Sequence, residues 1–262
     1  MSDHIQPIAD GFWNIRGSFK IAGLLDICTH ASLVRLHSGK YVLLDAYTLD
    51  DKLLGEVQAL TNGGRDIEAL INLHPFHTVH VKRAHAQFPE AKLYGTERHV
   101  AKAADLPWQP ERTDSAAFAA LYADDFEFWI PDGVDFISAD ENVHFSSVLA
   151  LHPATRTLHV DDTLMFTKIP LLSGVRFHPT LAKALKPEAG AADAFRQWAH
   201  RLADRCDDID HLCAAHTRCF HVEEGDAPMS HRVRHALQQC EKVLKAHERT
   251  FGGTRAAPSP PA

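Results

Sequence analysis

Apolar and polar positions alternate with a period near two along Gly11-Phe12-Trp13-Asn14-Ile15-Arg16-Gly17-Ser18-Phe19, which predicts a strand. A second strand is expected over Ala31–Leu36 and a third over Tyr41–Ala46, the two joined as a hairpin by His37-Ser38-Gly39-Lys40. Asp45 falls late in the third apolar run, near its C-terminal end. Residues 50–60 change to helical spacing, with Asp50 placed to cap the first turn. Gly63-Gly64 ends that helix, and the apolar run Ile67–Leu73 follows as a buried strand. It stops at His74-Pro75-Phe76-His77-Thr78-Val79-His80. Pro75 biases His74 towards extended backbone, so the histidines belong to a loop or a helix start.

Next come an amphipathic helical stretch over 81–91 and a short strand in Ala91–Thr96. Strand, helix and strand in succession imply a sheet with crossover helices. Residues 101–131 are broken by prolines and rich in alanine, and they end in the strand-like Phe126–Pro131. Two further apolar runs cover Val134–Ile137 and Ser146–Leu151. After the turn Pro153-Ala154-Thr155, Thr157–Val160 completes a hairpin that ends on Asp161-Asp162. Helical patterns occupy about 190–206 and 229–250, with strand-like His211–His216 between them. No repeat or linker divides the chain, so one domain over 1–250 is expected, followed by a low-complexity, disordered tail over 251–262.

Composition adds three constraints. With 45% hydrophobic and 23% charged residues the chain has the make-up of a soluble globular protein, and no apolar run is long enough to span a bilayer. A net charge of −7 disfavours nucleic acid. Five cysteines without a CxxC pair, and no signal peptide, read as reduced thiols in a cytoplasmic protein; Cys206, Cys213 and Cys219 have the wrong spacing for a zinc cluster. The unusual number is 19 histidines, a prior for a metal site.

Potential ligands recur at the edges of apolar strands: His74 and His77 after one, His144 before the hairpin, Asp162 closing it, and His216 at the end of the last. Histidines with one carboxylate suit zinc, iron or manganese. In these elements the chain resembles the metallo-β-lactamase fold superfamily, an αββα sandwich of two mixed sheets with a metal site along one edge. Tyr41–Ala46 is similar to the family's early strand ending in Asp, here Asp45, and "INLHPFHTVH" stands where its HxHxDH motif belongs. His144, Ser147 and Asp162 resemble its His-x-x-Gly-Ser hairpin closed by Gly-Asp, and His216 its last histidine ligand. In register on His74, however, the second histidine of the motif falls on Phe76, its aspartate on Thr78 and its third histidine on Val79. His77 and His80 each come one residue late and serve only through a rearranged loop. The Gly of Gly-Asp is Asp161.

The resemblance implies one or two ions held by His74, His77, His80, His144, Asp162 and His216, with Asp162 also catalytic. The expected activity is metal-dependent hydrolysis of a small-molecule substrate by metal-activated water. His178 and Lys183 lie where such proteins shape a substrate pocket, and Asp45 is expected to orient a ligand. His152 and His159 read as supporting or surface groups. A second account is a metal-free member of the fold acting as a binding or structural protein, and a third is redox work with iron in the same site.

Overall fold

The computed structural model describes residues 3–252 apart from 19, 22–24, 27, 168–172 and 217. In chain order the first half runs β1 (His4–Ala9), β2 (Phe12–Gly17), a short ribbon of β3 (Lys20–Ile21) and β4 (Leu25–Asp26), β5 (Thr29–Arg35), β6 (Tyr41–Leu44), α1 (Asp51–Leu60), β7 (Ile67–Ile71), α2 (Val81–Gln87), β8 (Lys92–Gly95), α3 (Glu97–Lys102), β9 (Trp108–Arg112) and α4 (Ala116–Leu121). The second half runs β10 (Glu127–Trp129), β11 (Leu149–His152), β12 (Thr157–Val160), β13 (Leu164–Thr167), β14 (Gly174–Phe177), α5 (Leu181–Ala184), α6 (Ala191–Arg205), β15 (His211–Ala214), β16 (Phe220–His221) and α7 (Met229–Phe251).

Two mixed sheets result, one ordered β1-β2-β5-β6-β7-β8-β9 and one β10-β11-β12-β15-β16. Because side chains alternate across a strand, each sheet presents two apolar faces. Val34, Leu44 and Ile71 meet Val148, Ala150 and Cys213 between the sheets. Leu33, Leu43 and Leu70 face outward onto Leu53 and Val57 of α1 and Val81 of α2. Leu149, Leu151, Leu158 and Leu212 face outward onto Phe195 and Trp198 of α6 and Val233 of α7. The layers are therefore α, β, β, α, as the family resemblance implied.

Local chemistry sets the boundaries. Asp50 caps α1, its carboxylate accepting from Leu53 N at 2.8 Å. The helix expected over 81–91 stops at Gln87, because Pro89 disfavours helical backbone in the residue before it. Val134–Ile137 forms an isolated bridge, Val134 to Leu185, and no strand. Gly133 turns the chain there in left-handed backbone, φ +72°. Residues 101–131, read in the sequence only for their strand-like end, supply β9 and α4 before β10 forms within that end at Glu127–Trp129. The tail from 253 onward lies outside the described residues, and Phe251 still closes α7. Among the described residues no helix is long and apolar enough to cross a membrane.

What matters for function is where strands end. β6 and β7 are parallel, as are β12 and β15. Their C-terminal ends release Asp45, His74, Asp161-Asp162 and His216 on one edge of the sandwich.

Candidate metal centre

Asp45 anchors the edge. It follows β6 in left-handed backbone (φ +60°), and its N–H donates to Ile71 O at 2.8 Å. Its Oδ1 accepts from Leu73 N at 2.8 Å and its Oδ2 from His159 Nε2 at 2.9 Å. The residues leading to His74 are thus fastened before the loop begins. From the same sheet Arg16 of β2 reaches across to the second, Nη1 to Ala214 O at 2.6 Å and Nη2 to Ala215 O at 3.0 Å, fixing the chain just before His216.

Asp162 gathers three imidazoles. His74 Nε2 lies 3.1 Å and His77 Nε2 3.7 Å from its Oδ2, and His216 Nε2 lies 2.8 Å from its Oδ1. Asp162 and His74 are buried, whereas His77 and His216 are half-buried and face a cavity of about 290 Å³. Behind this group is a second. His30 Nε2 is 3.4 Å and His77 Nδ1 3.2 Å from Asp161 Oδ1, and His30 stacks on His159 with ring centroids 4.3 Å apart.

Burial and charge compete throughout. Burial alone would raise both aspartates, but His77 and His30 beside Asp161, and His74 and His216 beside Asp162, hold both carboxyls well below the usual range. Burial opposes a charge on His77, yet Asp161 and Asp162 lift its pKa well above that of free histidine. Asp162 likewise raises His216 against its burial. Burial lowers His74 and His30. Asp45 is pushed up to about 6 by burial and by the charge of Asp161.

The donor set fits a cation. Asp162 Oδ1 and His74 Nε2 are buried polar atoms with no aligned hydrogen-bond partner. A buried carboxylate facing imidazoles without aligned hydrogen bonds is in an environment that a positive ion stabilises. His74, His77 and Asp162 offer ligand atoms within 4.8 Å of one another, and so do His30, His159 and Asp161.

The remaining expected residues are placed as follows. His80 lines the cavity but turns Nδ1 to Thr48 Oγ1 at 2.9 Å. His144 also lines it, stacked on Phe76 at 4.7 Å and donating from Nε2 to Glu141 O at 2.7 Å; its ring lies 6.2 Å from that of His74. His178 pairs Nδ1 with Thr180 Oγ1 at 2.7 Å, and Lys183 is exposed on α5; neither lines the cavity. His159, read as a supporting or surface group, is fully buried on Asp45, and buried His152 pairs with Thr155 Oγ1 at 2.8 Å. Sequence reasoning missed His30, Asn14 and Ser32. Their polar positions in β2 and β5 look solvent-facing, but that face lies against the second sheet. The only available signal was a histidine and an asparagine interrupting otherwise apolar strands.

No protein-family model and no curated protein matches the sequence. Solved structures do, and the chain has the metallo-β-lactamase fold. A metallo-β-lactamase from Pontibacter korlensis superimposes with a TM-score of 0.59 at 13% identity, covering 93% of this chain and 99% of that one. One from Erythrobacter litoralis gives 0.59 at 11% identity, with 92% of each chain covered. A third, from Pseudomonas aeruginosa in its mono-zinc form, gives 0.61 at 11% identity over 93% and 97%.

Proposed function

We propose that the protein is a metal-dependent hydrolase acting on a small-molecule substrate, with zinc as the first metal to test. Iron and manganese suit the same donors. The observation that carries this reading is the convergence of His74, His77 and His216 on Asp162, from distant segments, at the wall of a cavity. When bound, the ion would lower the pKa of water and polarise the scissile group. Asp162, just after β12, would supply the negative charge that holds the ion. Phe76 and the exposed Val79 give the cavity an apolar lip, suited to a substrate with an apolar part, while His80 and His144 line its wall.

Elemental analysis of purified protein, repeated on Asp162→Ala and His216→Ala, tests the reading. Bound zinc, iron or manganese near one equivalent or above, lost in both variants, is the expected result. Metal retained in both, or none bound even after incubation with each ion, would replace the hydrolase with a metal-free binding protein.

A further inference from the structure

Cys213 lies in β15, and Cys219 comes immediately before β16. The two strands are antiparallel, His211 opposite His221 and Leu212 opposite Phe220, so the same register sets Cys219 opposite Cys213. Val222 N donates to Asp210 O at 2.8 Å, and hydrogen-bonded and non-hydrogen-bonded pairs alternate along such a ladder. Counted from that bond, Cys213 and Cys219 fall at a non-hydrogen-bonded position. Such a pair brings its Cα atoms to about 4.5 Å, inside the range of about 4.4 to 6.8 Å that a disulfide spans. Both cysteines are free thiols, and their sulfurs lie 3.5 Å apart. Side-chain rotation closes that gap without moving backbone.

The two thiols stand in different surroundings. Cys213 is fully buried, whereas Cys219 keeps 8% of its surface open and lines a cavity of about 470 Å³ with Arg218, Phe220 and Arg232. Gln6 Nε2 donates to the Cys219 sulfur at 3.1 Å, and the Cys219 thiol donates to Asn14 Oδ1 at 3.3 Å. Its hydrogen bond with Cys213 and the charge of Arg16 hold Cys219 below the ordinary thiol range against its burial. Burial pushes Cys213 well above that range. One sulfur is thus reachable and the more easily ionised, with a second in line to displace whatever it takes up. An attacking and a resolving cysteine need that division.

We propose that Cys213 and Cys219 form a dithiol site for a small hydroperoxide, which oxidises them to an intrachain disulfide with Cys219 attacking first. The Cys219 thiolate attacks one peroxide oxygen. An S–O bond forms, the O–O bond breaks, and the departing hydroxide takes the Cys219 proton to become water. The Cys213 sulfur then attacks the sulfenic sulfur of Cys219. The S–S bond forms, the S–O bond breaks, and hydroxide leaves with the Cys213 proton as a second water. Two electrons pass from the thiols to the peroxide. The narrow opening at Cys219 suits hydrogen peroxide rather than a bulky disulfide. Neither cysteine is among the residues gathered around Asp161 and Asp162, so the reaction needs no ion there.

The test treats the purified full chain with a slight excess of hydrogen peroxide. Thiols counted in denaturant should fall from five to three and return with dithiothreitol. Trypsin cuts after Arg218, between the two cysteines, so the bond should appear as peptide 206–218 linked to peptide 219–232. Fragmentation then separates Cys213 from Cys206. In Cys213→Ser the sulfenic acid of Cys219 should persist and be captured by dimedone, and in Cys219→Ser Cys213 should stay unlabelled. Cys28 and Cys240 should oxidise at least about 10-fold more slowly, as thiols with less thiolate character do. A linked pair that is absent, or that forms only in urea, overturns the proposal. So does dimedone on Cys213 in Cys219→Ser, or on Cys28 ahead of Cys219. The wild-type peptide map needs no variant to fold.

Discussion

At the scale of single residues, Asp45 shows how charge and backbone are used together. Its left-handed φ is one that Asn tolerates and most side chains do not, and its two oxygens serve Leu73 N and His159 Nε2. Asp45→Asn should keep much of the backbone geometry while losing the charge facing His159. Asp45→Ala loses both, and breaking such a buried pair costs about 3 kcal/mol or more. Urea melts should rank wild type, Asn and Ala in that order. Equal losses in the two variants would show that the backbone conformation contributes nothing. His74, His77, Asp162 and His216 were legible in the sequence because each follows an apolar strand, a pattern one chain displays by itself. His30, Asn14 and Ser32 were not, because strand alternation cannot tell a face open to water from one covered by a second sheet.

Among the elements, those with strong local signals were read well: the β5–β6 hairpin, α1 with its Asp50 cap, and the two long helices. The misses are places where tertiary contact overrides pattern. Gly133 is one. A Cβ there would meet Ala191 O at 2.0 Å, at the start of α6, and the residue sits at φ +72°. Gly133→Ala should therefore cost about 2 kcal/mol or more, and calorimetry should show Tm falling by roughly 4 °C or more. The turn of the β5–β6 hairpin carries another link, His37 N and Nδ1 to the two oxygens of Asp125, at 2.7 and 2.8 Å. Hydrogen bonding to Asp125 and its charge raise the pKa of exposed His37 above 6.5. A folded pKa above the unfolded one stabilises fully below pH about 6.5 and fades as pH rises through the folded value. His37→Ala should thus lower Tm slightly near pH 5 more than near pH 9, and a difference of the opposite sign would refute the link.

For the whole molecule, four layers follow from two sheets that are apolar on both faces; the alternation of strands and helices implied a sheet with crossover helices, and the family resemblance implied the four layers. The way the two sheets meet was not legible, since Arg16 in β2 and Ala214–Ala215 at the end of β15 are 198 residues apart. Nothing local marks Arg16 as a bridging residue. Yet its guanidinium clasps the rim of the sandwich beside His216, one prong per carbonyl. Spreading of the sheets at this rim would change the reach of His216, so ion affinity there would report the local sandwich spacing. Arg16→Lys, which retains the charge but only one prong, should loosen zinc binding several-fold with every ligand intact, measurable by competition with a chromogenic chelator.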